Sequence, residues 1–500
     1  MISYELKTVN SGDNKLKYFS LSILFLILSQ IVAQAFRLIA KVIIARYATP
    51  DIYGVFSVIW NEMTLVSLIA LIGLGQQLTI NLPRMNNNEK NYTFHSSVIY
   101  SLLVCVVIGT LALIFNLIKL KSTYTFSLII SIFYVLFLLN QFILIGLKDF
   151  FGVFLLNLIQ NLTLLILIVL IRNQLSIVNL VYTTAGSIAL ASISLLIYTF
   201  IRYKFSFKEI TIKDLKIFSF SKKRLYLFSV DIVESLILYL LFKLPQIFLG
   251  DIYAGYVSIV FSIMSIVIIL PQIITISMGP LISEEFIDEK YEKMHNSFST
   301  SMTIIYFLQG ITIFIFAYFG NPLIKVLYGN EYVVGTFSLF YGFLFAIIVD
   351  SISYPIGLYL RNTDHENLFG IGRIISLLLF VLFGPLFLFL MENTMAIPMA
   401  YLISKIALLS FYFFSMIKKI DIVNTNDIRK TLLWFAIIFL SFILIIVTNF
   451  YIGDLIYRAL ILISHIGLFI LGLSLLKIVN LKQLVKTIFS KITTTFQKTR

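Results

Sequence analysis

Gln30, Gln34, Arg37 and Lys41 recur at i, i+4, i+7 and i+11 within an otherwise apolar stretch. A helix through that stretch carries all four on one face. Each Arg or Lys near a bilayer centre costs about 2.5 to 3.5 kcal/mol on insertion scales, so two on one helix must face a partner, a cavity or a ligand.

Other charges fall in apolar surroundings. The bases are Lys243, Arg373 and Lys405, and the acids are Glu62, Asp231, Glu234 and Asp350. Lys41 could pair with Glu62 on the next helix, leaving Arg37 for a ligand. Asp231 and Glu234 share a helical face, and such a carboxylate pair could carry protons or a cation. Lys243 is nine residues beyond Glu234, on the opposite side of that helix, so the two cannot pair there. Lys405 and Asp350 each sit near the middle of an apolar run and suit one another as an ion pair. Arg373, close to a helix start, suits a headgroup anchor.

No enzyme constellation emerges. Glycine is never followed by lysine, which removes the phosphate-cradling loop of an internal ATPase. His95, His295, His365 and His465 fall in four separate regions without metal-ligand spacing. The GIGR run at Gly370 to Arg373 lacks the third glycine of a dinucleotide turn. The single cysteine, Cys105, lies in an apolar run and suits plain packing. Neither a cofactor nor a metal is called for.

The elements that position these residues follow from composition. The 500 residues are 59% hydrophobic and 12% charged, with a mean hydropathy of +0.98, against roughly 25% charged in soluble domains. The expected fold class is an all-α polytopic membrane protein of about 14 transmembrane helices. Its spans are drawn at 18–47, 53–82, 95–118, 124–147, 149–172, 176–201, 225–249, 253–282, 297–319, 336–360, 367–390, 395–417, 431–450 and 455–478. With both termini cytoplasmic, inner segments hold 27 Lys and Arg and outer segments 6, which sets that orientation. The net charge of +14 then marks a basic inner surface that meets anionic lipid heads, with no need of a nucleic-acid partner.

A weak internal repeat divides the chain. Asp51–Ile52–Tyr53 recurs as Asp251–Ile252–Tyr253, Gly54 faces Gly255 one residue out of register, and QIVAQ at 30–34 faces DIVES at 231–235. The expected organisation is an N-terminal six-helix lobe at 1–201, a basic cytoplasmic linker at 202–224 and a C-terminal six-helix lobe at 225–417. Two additional spans lie within 431–478, and a basic amphipathic tail occupies 479–500. Lobes that share orientation in this way bind substrate between them, near the midplane. The tail carries Leu481, Leu484, Val485, Ile488, Ile492 and Phe496 on one side, the pattern of an interfacial helix.

The segments AKVIIARYATPDIYGVFSVIWN and LIALIGLGQQLTINLPR, with LIKVLYGNEYVVGTFSLF at 323–340, resemble the Wzx-type polysaccharide and O-antigen flippases of the multidrug/oligosaccharidyl-lipid/polysaccharide superfamily. The resemblance implies two lobes around a central cavity, alternating access, and a polyprenyl-diphosphate-linked oligosaccharide as substrate. Such a repeat unit of O-antigen, capsule or related lipopolysaccharide-type glycan would pass from the inner to the outer leaflet of the cytoplasmic membrane. Many such flippases have twelve spans, whereas lipid II flippases have fourteen.

A cationic lumen in that family matches Arg37 and Lys41, with Gln30, Gln34 and Lys405 as further lining. Ion coupling would fall to Asp231, Glu234, Glu62 and Asp350. Partners would be the lipid-linked oligosaccharide, membrane lipids and other polysaccharide assembly proteins. Two alternatives stay open. A multidrug or organic-cation antiporter would need acids to dominate the cavity, yet buried bases number five against four acids. A glycan polymerase would need catalytic groups in outer loops, which here are short.

Overall fold

Inside hydrocarbon the backbone finds no water, so apolar runs of this length must close their hydrogen bonds within helices. A computed structural model describes residues 12–118, 122–203, 222–363, 365–419, 425–451 and 455–475. Among them every regular element is helical, as expected. The side chain of Asp231, most of the linker at 202–224 and the tail at 479–500 lie outside the described residues.

The helices run α1 (Gly12–Tyr47), α2 (Pro50–Leu71), α3 (Leu74–Asn81), α4 (Asn87–Leu117), α5 (Ser122–Gly146), α6 (Phe150–Ile171), α7 (Ile177–Tyr203) and α8 (Lys222–Phe248). They continue as α9 (Asp251–Ile287), α10 (Tyr291–Tyr328), α11 (Asn330–Asn362), α12 (Glu366–Met391), α13 (Ala396–Lys419), α14 (Thr425–Tyr451) and α15 (Leu455–Leu475). Among the described residues, 12 stretches are long and apolar enough to cross a membrane. In position, α8 and α14 match the expected seventh and thirteenth spans.

The second expected span is not one helix. After Leu71 the backbone turns left-handed at Ile72 (φ 42°) and Gly73 (φ 70°), and α3 starts afresh. A left-handed residue ends a helix, and glycine adopts that conformation without steric cost.

The chain divides into two compact units, residues 1–258 and 259–500. In the first, α5 is central: α2, α3, α4 and α7 pack on it, α1 lies along α6, and α8 lies on α2. Its core includes Ile59, Met63, Val135, Leu144, Leu156 and Ile188. Leu103, Val106, Val107, Leu113 and Leu117 of α4 point outward instead, the surface that lipid covers. Asp149 ties one end together. Its Oδ1 accepts the Gly152 N–H at 3.0 Å, and its Oδ2 accepts the hydroxyls of Tyr198 and Tyr203 at 3.0 and 3.1 Å. The Arg202 Nε lies 3.2 Å from the same oxygen.

In the second unit α13 packs on α11 and α12, α10 on α11, and both α14 and α15 on α10. The last pair is fastened by specific groups. The Trp434 indole donates to the Tyr306 carbonyl at 2.9 Å, and the Tyr318 hydroxyl lies 3.1 Å from His465 Nδ1. The Phe469 ring covers Gly310, where a Cβ would have no room.

Candidate functional site

Arg37, Lys41, Gln30 and Gln34 all lie on α1, which the repeated apolar residues of its other faces hold against α6. One polar bond supports that packing, from Asn157 Nδ2 to Ser29 Oγ at 2.9 Å. Gln30 and Gln34 are half-buried.

The Arg37 guanidinium carbon lies over the Trp60 ring of α2, 5.7 Å from its centroid. Its Nε is buried without a hydrogen-bond partner. Tyr134 of α5 and Lys41, one turn along α1, are its charged or polar neighbours. A guanidinium over an indole face can still turn its edge donors to a second group. An unsatisfied donor on a buried charge costs more than one on a neutral group, and an anion would remove that cost.

The expected pairing of Lys41 with Glu62 is not among the ion pairs of the described residues. Glu62, on α2, is 8% exposed, and its Oε2 has no hydrogen-bond partner. Its neighbours are Lys243 of α8 and the Ser127 hydroxyl of α5. The packing of α8 on α2 brings Lys243 there. Its ammonium lies 5.2 Å from the Tyr124 ring and donates to Gln246 Oε1 at 2.9 Å. Gln246 Nε2 in turn donates to Asp251 Oδ1 at 2.9 Å. Glu234 is half-buried on α8.

In the second unit Lys405 Nζ and Asp350 Oδ1 are 2.9 Å apart, both almost fully buried. The Tyr401 hydroxyl donates to Asp350 Oδ2 at 2.9 Å and Ser353 Oγ to Oδ1 at 3.1 Å. The carboxylate is thereby well satisfied, the condition under which a buried ion pair holds. Arg373 is 4% exposed, stacks on Phe369 at 5.5 Å and acts on Asp350, so it is not the headgroup anchor expected of it. It stands two turns inside α12, which starts at Glu366.

Composition and spacing singled out Arg37 and Lys41 but not Trp60, Tyr134, Tyr124 or the role of Lys243. The three aromatics are indistinguishable in sequence from packing residues.

No protein-family model and no curated protein matches the chain. Solved structures do. The lipid II flippase MurJ in an inward closed conformation superimposes with a TM-score of 0.67 at 15% identity, covering 89% of this chain and 98% of that one. An inward-facing multidrug resistance MATE family transporter of the MOP superfamily gives 0.58 at 13% identity, covering 78% and 95%. A MOP superfamily transporter from Pyrococcus furiosus, described for the reverse polarity of its binding pocket, gives 0.57 at 15% identity, covering 82% and 97%. The chain therefore shares the fold of these solved structures.

Proposed function

We propose that this protein is a flippase that moves a polyprenyl-diphosphate-linked oligosaccharide from the inner to the outer leaflet by alternating access. The observation that carries the reading is the half-buried Arg37, whose guanidinium lies over Trp60 with its buried Nε unpaired and Lys41 one turn away. A diphosphate supplies an acceptor oxygen for the Arg37 Nε and negative charge beside Lys41, and charge-assisted bonds compensate each partner for leaving water. Gln30 and Gln34 extend the polar face toward the sugars. The lobes at 1–201 and 225–417, with both termini cytoplasmic, belong to the same reading.

Two features support it. The fold is shared with a lipid II flippase over nearly the whole of that chain, and the Lys and Arg distribution places a basic surface inside. Outward movement of negative charge from an inside-negative cell gains about 2.3 kcal/mol per charge per 100 mV, a driving force that competes with proton exchange through Asp231 and Glu234.

The second reading, a cation antiporter, draws on one observation: the unpartnered buried Oε2 of Glu62. The experiment that separates the two is a deletion strain restored with wild-type or Arg37→Ala copies, assayed for surface glycan and for lipid-linked precursor on each leaflet. Precursor trapped inside and rescued only by wild type supports the flippase. Normal surface glycan with new sensitivity to cationic drugs rejects it in favour of the antiporter.

A further inference from the structure

Where α14 begins, it lies over α10 and leaves a recess lined by Phe298, Ser299, Met302, Thr303, Tyr306 and Lys430. On α10, Ser299, Met302, Thr303 and Tyr306 fall at i, i+3, i+4 and i+7, which is one helical face. Two bonds join α14 to α10 beside the recess. Thr431 Oγ1 and the Tyr306 hydroxyl are 2.5 Å apart, and the Trp434 indole donates to the Tyr306 carbonyl at 2.9 Å. These bonds fix the first turns of α14, and Lys430 precedes Thr431 directly, so the ammonium is carried to a set place.

The lining combines two chemistries. Phe298 and Met302, 1% and 5% exposed, form its apolar floor. Lys430 supplies a charge with no ion pair or hydrogen bond among the described residues, and Ser299 Oγ is likewise uncommitted. Thr303 Oγ1 already donates to the Ser299 carbonyl at 2.9 Å, leaving its oxygen as an acceptor only. Arg429, exposed beside Lys430, adds a second cation at the rim.

A cation and a hydroxyl set against apolar side chains at a membrane-helix end suit the phosphate of an amphiphile, because basic recesses between such helices take anionic headgroups. We infer that the recess between α10 and α14 binds the phosphate head of an anionic phospholipid, with Lys430 and Ser299 as its donors. On the orientation proposed above the lipid belongs to the inner leaflet, but the binding itself does not depend on that orientation or on what is transported.

The test is native mass spectrometry of the full chain released from detergent, titrated with dioleoyl phosphatidylglycerol, with dioleoyl phosphatidylcholine, and with inorganic phosphate. Wild type should retain one phosphatidylglycerol more than Lys430→Gln, with about five-fold weaker binding in that variant, the factor for one basic residue at a charged surface. Ser299→Glu should weaken it as well, by placing a carboxylate beside the phosphate, and carries the test if Lys430→Gln does not fold. Lys325→Gln, at the other end of α10, should change nothing. Equal retention of phosphatidylglycerol by wild type and both recess variants would overturn the inference. So would equal retention of phosphatidylcholine by wild type, or displacement of the lipid by inorganic phosphate, which would reduce the recess to a free-anion site.

Discussion

Ser57 Oγ donates to Ser258 Oγ at 2.7 Å, 201 positions along the chain, where the first turns of α2 and α9 cross. Tyr53 and Gly54 complete the crossing. The Tyr53 hydroxyl lies 3.2 Å from Ser258 Oγ, and a Cβ on Gly54 would stand 1.9 Å from the Asp251 carbonyl oxygen. A Cβ on Gly255 would stand 2.6 Å from the Pro50 carbonyl oxygen. The two copies of the Asp-Ile-Tyr repeat thus touch each other, backbone to backbone, through the glycine and serine that follow each. Small residues permit this approach, as they do between membrane helices generally.

Gly54→Ala should therefore be poorly tolerated, because the obstacle is backbone and cannot rotate away. Overpacking of this kind costs about 1 to 3 kcal/mol. Gly186→Ala, in the middle of α7 with open space around it, should instead be neutral or stabilising, since alanine is the better helix former. Thermal unfolding of both variants in detergent checks the contrast, and a Gly54→Ala protein as stable as wild type would contradict the close approach.

Arg37→Lys should abolish most flipping while leaving the protein folded. The ammonium keeps the charge but loses the guanidinium's fork of donors and its contact over Trp60. In reconstituted vesicles the rate of lipid-linked glycan translocation should fall at least about ten-fold, the equivalent of one charge-assisted bond of about 1.4 kcal/mol. A rate within two-fold of wild type would remove Arg37 from the substrate site.

Asp350→Asn should destabilise the second unit by about 3 to 5 kcal/mol, because it strands the Lys405 ammonium in an apolar interior. Replacing both, Asp350→Leu with Lys405→Met, should recover most of the loss. Thermal unfolding of the single and double variants decides it. A double variant as unstable as the single one would show that the pair is not what the site depends on.

Glu62→Gln should leave flipping dependent on an imposed voltage, at about 2.3 kcal/mol per charge per 100 mV, and insensitive to a pH step. Vesicles with a clamped potential and a separately imposed pH difference make the measurement. If wild type answers to the pH step and Glu62→Gln does not, Glu62 is a proton carrier and the antiporter reading gains.

The helices themselves were legible because hydropathy and length decide them, and Lys405 with Asp350 was legible because two opposite charges at mid-span have few other ways to exist. The break at Ile72–Gly73 was not. The run Leu-Ile-Gly-Leu-Gly is apolar throughout, and a left-handed turn changes conformation without changing hydropathy. The second cation near Glu62 was hidden for a different reason. Sequence favours the adjacent helix, which carries Lys41, whereas packing of α8 on α2 delivers Lys243 from 181 positions away. The Arg37 contact over Trp60 was equally hidden, since tryptophan in a membrane helix reads as an interfacial or packing residue.

Gln246 has two ends and uses both, its oxygen on Lys243 and its nitrogen on Asp251. Asp251 is the residue whose carbonyl lies beneath Gly54. A single neutral amide therefore acts as a tie rod, joining the cation beside Glu62 to the tightest crossing in the first unit. An anion that drew Lys243 toward itself would pull on that crossing through Gln246, and Gln246→Leu is the change that would uncouple them without altering any charge.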